Sequence, residues 1–168
     1  MAAVYREIAE DDARNEQILG DVVEALARGR HCLVLAQRTA HVDLLAKQLT
    51  AAGFDPVVLK GGLGARARKV AMERLDPTAN SPLLAVATGH FVGEGFDCPA
   101  LDTLFLVSPV SFKGRLVQYV GRVLRAYPGK HTAEVHDYHD IESPVLAASL
   151  RKRAPGYVSL GFPDPRKG

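Results

Sequence analysis

Cysteine is scarce. Only Cys32 and Cys98 occur, far apart and without metal-ligand spacing, which argues against a disulfide framework and for a reducing compartment. Long apolar runs are missing too. Nothing approaches the length of a membrane span, and the opening MAAVYREIAEDDARNEQ lacks the apolar core of a signal peptide. The expected address is therefore cytoplasmic, with no membrane partner. Acids are absent from two stretches. From Thr103 to Ala133 there is no Asp or Glu, against Lys113, Arg115, Arg122, Arg125 and Lys130; from Pro56 to Met72 the bases are Lys60, Arg66, Arg68 and Lys69. The formal net charge is only +2, so whole-chain charge names no partner. Two acid-free basic zones suit bound phosphates, although solvated helix faces look the same.

What is present fits one domain over residues 1–168, with 47% hydrophobic and 24% charged residues. Apolar spacing at Ile18, Leu19, Val22, Val23 and Leu26 predicts a helix capped by Asp11 or Asp12 and ended by Gly29. HCLVLA is a continuous apolar run, as in a strand buried on both faces. A helix capped by Thr39 follows, then a strand at PVVL, a turn at Gly61 and Gly62, and a basic helix from Leu63 to Leu75. LLAVAT, TLFLV and AEVHDY read as three more strands. GHFVGEGFDCPA is a loop between the first two, and QYVGRVLR lies on a helix between the last two. ESPVLAASLRKR closes the chain as a helix, and the Pro- and Gly-rich tail from about 155 to 168 is expected to be irregular. Strands alternating with helices imply an α/β fold with a mostly parallel sheet, which binds ligands outside the carboxyl ends of its strands. The groups expected on that rim are Gln37 and Arg38, Lys60 to Gly62, Thr88 to His90, and Ser108 with Pro109.

In QYVGRVLR, helical spacing puts Gln118, Gly121, Arg122 and Arg125 on one face and Leu116, Val120, Val123 and Tyr127 on another. Gly121 costs a helix interior roughly 1 kcal/mol relative to alanine, and an arginine fork matches a phosphate. Spacing alone balances this reading against two ordinary surface arginines. GEGFD sets Glu94 and Asp97 on the ligand rim, where Asp97 could orient an arginine or accept from a ribose hydroxyl, or simply cap a tight loop. Thr88 could offer its hydroxyl and N–H to a phosphate, or close a turn.

LAVATGHFVGEGFDCPALDTLFLVSP followed by QYVGRVLR resembles motifs V and VI of superfamily 2 helicases and translocases, whose motif VI has the form Q-x-x-G-R-x-x-R. CLVLAQRTAHVDLLAKQL is similar to their motif IV region, and LKGGLGARARKVAMERL to the turn and helix after it. The resemblance spans roughly residues 14 to 140, in order and at the right spacing. It implies a RecA-like three-layer sandwich, the C-terminal lobe of such an enzyme. It further implies ATP shared with an N-terminal RecA-like lobe, and Mg2+ held by that lobe. Arg122 and Arg125 would then be arginine fingers, and Gln118 would support the γ-phosphate or the attacking water. Asp97, Gly95 and Gly121 would line the nucleotide side. Thr88, Gly89, Gln37, Arg38, Lys60 and Gly61 would follow the nucleic acid, with DNA put ahead of RNA. Glu94 stands where DEAD-box proteins carry arginine, so that arginine's role does not transfer.

No G-x-x-x-x-G-K-[ST] loop follows a strand, and no apolar strand ends in paired acids for Mg2+. The lobe that binds ATP and metal is thus expected to lie outside this chain, which alone should be inactive. Two rivals stand: a non-catalytic RecA-like module that binds nucleic acid or a partner, and an unrelated nucleotide-binding enzyme. EVHDYHD gathers His136, Asp137, His139 and Asp140 near His131, but strand alternation separates His136 from Asp137, so no metal site is expected. The basic run Arg151 to Arg153 reads as a solvated helix terminus, and Cys98 as a small hydrophobe.

Overall fold

The computed structural model describes residues 2–78, 81–110, 113–138 and 143–167. Five strands form one sheet: β1 (Cys32–Ala36), β2 (Val57–Leu59), β3 (Leu84–Thr88), β4 (Thr103–Leu106) and β5 (Glu134–Asp137). Their order is β2-β3-β1-β4-β5 and every pairing is parallel. The helices are α1 (Ala2–Glu10), α2 (Asp12–Ala27), α3 (Thr39–Ala51), α4 (Ala65–Arg74), α5 (Gly89–Gly93), α6 (Lys113–Val123) and α7 (Pro144–Ser159).

Period-two alternation divides the core into two layers. Leu33 and Leu35 of β1 face a cluster that includes Phe91, Leu116, Val120, Val123 and Tyr157, contributed by α5, α6 and α7. Cys32, Val34 and Ala36 face Ile18, Val22, Val42, Leu45 and Leu49 of α2 and α3. Sheet residues buried on both faces account for the continuous apolar runs. The result is the α/β three-layer sandwich.

Local chemistry fixes the helix starts. Asp11 caps α2 by accepting from the Arg14 N–H at 3.0 Å, and Ser143 caps α7 with Pro144 in its first turn. Several expectations need correction. Thr39 does not cap α3: Arg38 holds that position, without a side-chain hydrogen bond. The N-terminal residues form a separate helix, α1. The tail is not irregular from 155, since α7 carries Pro155 and continues to Ser159. Tyr157, 4% exposed, anchors that last turn in the core. Its ring meets Phe162 edge-on at 6.1 Å, so tertiary burial overrides the weak propensity.

Candidate functional site

Because all strands run parallel, their carboxyl ends share one rim. Along it stand Lys60 and Gly61 after β2, Thr88 and Gly89 after β3, Gln37 and Arg38 after β1, and Ser108 and Pro109 after β4. Most of them are already engaged. Thr88 is 5% exposed, and its hydroxyl accepts from the Phe91 N–H at 3.3 Å, capping α5. The Ser108 hydroxyl accepts from the Gln37 N–H at 3.1 Å, joining the ends of β1 and β4. Lys60 pairs with Asp43 at 2.8 Å. Arg38 donates to the Ala2 carbonyl at 3.4 Å, while Tyr5 donates to that of Pro109 at 3.3 Å. Thus α1 lies against the β1 and β4 part of the rim, which the sequence did not signal.

The arginine face of α6 is altered in one respect. The helix ends at Val123, so Arg125 stands just beyond it rather than at a fourth position on one helical face. The core side is as expected: Leu116, Val120 and Val123 are fully buried, and Tyr127 packs against them. Arg125 is held by other means. Its Nη1 donates to Asp97 Oδ1 at 2.6 Å, an exposed ion pair that ties the end of α6 to the GEGFD loop. Lys130 adds a second tie, donating to the Arg125 carbonyl at 2.7 Å and the Pro99 carbonyl at 3.0 Å. Burial of Lys130 pulls its pKa below the usual lysine range. Arg122 is half-buried and makes no hydrogen bond or ion pair among the described residues. Gln118 donates to the Gly93 carbonyl at 3.3 Å.

Two glycines differ in why they are glycine. Gly95 has φ +85°, a left-handed conformation that lets the loop turn toward Asp97. Gly121 has open space where a Cβ would go, and nothing among the described residues demands a glycine there. Glu94, whose role the sequence left open, pairs with His90 at 3.0 Å across one turn of α5. Its carbonyl accepts from Arg68 at 3.4 Å, and the Arg68 guanidinium lies 4.5 Å over the Phe91 ring. This joins α4 to the loop.

The histidine-rich stretch resolves into separate structural tasks. His136 stacks on Phe105 at 4.5 Å, whereas Asp137 on the opposite face accepts two hydrogen bonds from Arg153 at 2.8 Å and one from Tyr157 at 2.6 Å. His139 and Asp140 lie outside the described residues. Arg153 is not part of a solvated terminus, being 1% exposed, and only Arg151 and Lys152 of that run are exposed. Both cysteines are buried and free, and burial pushes the Cys32 thiol up to about 12.

The glycine turn, anchored Asp97, held Arg125 and uncommitted Arg122 gather at the end of α6; because α6 crosses from β4 back to the start of the parallel β5, Asp97 lies toward the amino ends of the strands and not on the rim expected for it. The matching family model, described as the helicase conserved C-terminal domain, covers residues 15–127. The chain belongs to that family. Among relatives of the helicase domain, transcript termination protein OPG145 of Variola virus is 32% identical over 126 residues, covering 73% of this chain and 25% of that protein. Transcript termination protein A18 of Fowlpox virus is 27% identical over 131 residues, covering 77% and 28%. This helicase domain therefore spans about a quarter of the curated relatives' length. T4 UvsW shares its fold with a TM-score of 0.71 at 19% identity, over 96% of this chain and 35% of that one. The C-terminal part of the Fun30 ATPase domain gives 0.72 at 12%, over 89% and 51%. The C-terminal domain of the DEAD-box protein Dbp5 gives 0.67 at 14%, over 88% and 78%. These are likenesses of fold alone. No helix among the described residues is long and apolar enough to cross a membrane.

Proposed function

We propose that this domain is the second RecA-like lobe of an ATP-dependent helicase or translocase, acting against a first lobe that holds ATP and Mg2+. The observation that carries the reading is the contrast between the two arginines. Arg125 is oriented by Asp97 through one Nη1 contact at 2.6 Å, and the rest of its fork has no partner among the described residues. Arg122, one turn earlier, has no anionic partner among the described residues. A basic, acid-poor helix end with an oriented guanidinium beside an unpaired one fits a polyphosphate presented from outside the chain. In this reading Arg122 and Arg125 stabilise charge on the terminal phosphate, and Gln118 supports the phosphate or the attacking water. Asp97 sets the angle of Arg125, and Gly95 and Gly121 keep the approach clear. ATP supplies the phosphate whose cleavage drives motion between lobes.

The nucleic-acid track, in the same reading, follows Thr88, Gly89, Gln37, Arg38, Lys60 and Gly61 along the rim. Backbone contacts of this sort give little sequence preference and strong salt dependence. DNA is the first substrate to test and RNA the second.

The deciding experiment measures ATP turnover, with single- and double-stranded DNA and with RNA, in a two-lobed protein carrying this domain. Arg122→Ala and Arg125→Ala should each reduce turnover by roughly 10³-fold or more. Because neither arginine is in the core, stability should change by less than about 0.5 kcal/mol. Wild-type turnover in either variant would sink the assignment.

A further inference from the structure

At the sheet edge remote from α7, β2 is only three residues long and, among the described residues, pairs on one side alone, with β3. Helix α4 lies beside it yet buries none of its residues. Between the two runs a groove of about 690 Å³. Its floor is aliphatic: Val57, Val58, Leu63, Val70 and Ala71 line it. Val70 is 51% exposed, one of the few large apolar side chains so open to solvent. At Val57 and Arg74 the groove meets a second apolar hollow near Leu26, Phe54 and Leu75.

Charge at this groove is one-sided. Arg66 lines it, and neither Arg66 nor Lys69 makes an ion pair or hydrogen bond among the described residues. Arg74 is spent on Asp55 at 2.8 Å, and Arg68 turns away toward Phe91 and Glu94. Glu73 is the sole acid on α4. An unpaired strand edge offers a row of N–H and C=O groups to an added strand, with pockets for alternate side chains. The floor holds no aromatic ring on which a base could stack, which favours a peptide over a nucleic acid.

We propose that the β2–α4 groove is a docking site for an extended acidic segment of a partner protein. The segment adds as a sixth strand beside β2, its apolar side chains enter the groove at Val70, and its carboxylates meet Arg66. This site is separate from the arginine end of α6 and does not depend on the helicase reading.

The probe is a fluorescein-labelled short peptide of alternating valine and glutamate, titrated into the full 168-residue chain. Polarisation should show saturable binding. Two-dimensional amide spectra should shift at Val57 to Leu59 and along α4. Arg66→Glu and Val70→Glu, both surface changes, should each weaken binding at least tenfold without moving the unfolding midpoint. No saturable binding would overturn the proposal. So would equal affinity for a valine–lysine peptide, shifts confined to the Thr88–Gly89 rim, or displacement from the groove by a single-stranded oligonucleotide.

Discussion

A Cβ placed on Gly89 would lie 2.6 Å from Tyr119 Oη and 2.9 Å from Gln37 Nε2. Gln37 is half-buried and can turn aside, but Tyr119 is 3% exposed and fixed on α6 by its core contacts. The close approach therefore joins the end of β3 to the helix that carries Arg122. Gly89→Ala should destabilise the domain by roughly 1–3 kcal/mol through overpacking. Combining it with Tyr119→Phe should recover most of that loss, because the oxygen in the way is gone. Urea midpoints of the single and double variants check this; an undiminished loss in the double variant would place the crowding elsewhere. At this scale the sequence singled out, through GEGFD and QYVGRVLR, the residues proposed for the site. It could not disclose how they are held. The Asp97–Arg125 pair spans 28 positions, and the Lys130 tie and the Tyr119 contact depend on packing that no local pattern encodes.

Between elements, the most consequential polar contact joins α2 to α3. His41, 1% exposed, meets Asn15 Oδ1 through Nε2 at 2.9 Å, and Asn15 in turn donates to the Ala9 carbonyl at 2.9 Å, so one chain of bonds links α3, α2 and α1. Burial, with the nearby positive charge of Arg14, lowers the His41 pKa from 6.5 to about 4. The folded state thus prefers the neutral ring, and the unfolded chain takes the proton first. Stability from this site is complete above pH 6.5 and is lost as pH falls toward about 4. The wild type should lose about 2–3 kcal/mol more than His41→Gln between pH 7 and pH 4. Denaturant titrations at intervals across that range test it, and parallel slopes would assign the acid sensitivity to other groups. Element types were largely readable, since each buried strand is an unbroken apolar run and α2, α3 and α6 keep helical spacing. What escaped is what tertiary contact decides. The α1 helix rests on the rim through Tyr5 and Arg38, α7 persists past Pro155 because Tyr157 is buried, and Arg153 enters the core because Asp137 awaits it on β5.

In the two-lobe reading, the molecule as a whole supplies arginines to one edge of a site that a first lobe completes. Two solvent-facing guanidinium contacts to a phosphate are worth about 1.5–3 kcal/mol each. Association costs at least about 4 kcal/mol in lost translational and rotational freedom. The surplus falls short of the roughly 4 kcal/mol that a 1 mM dissociation constant requires. Without a glycine-rich phosphate loop in its sequence, the chain has no evident means of making up the difference. Calorimetric titration of the 168-residue chain with Mg2+ and ATP should therefore give no saturable heat up to about 1 mM. Adding a first lobe that carries such a loop should restore binding, and Arg122→Ala should weaken it again. Micromolar binding by the chain alone would mean that it contains its own phosphate cradle. That outcome would replace the two-lobe reading with that of a self-contained nucleotide-binding enzyme, whatever the fate of the β2–α4 groove.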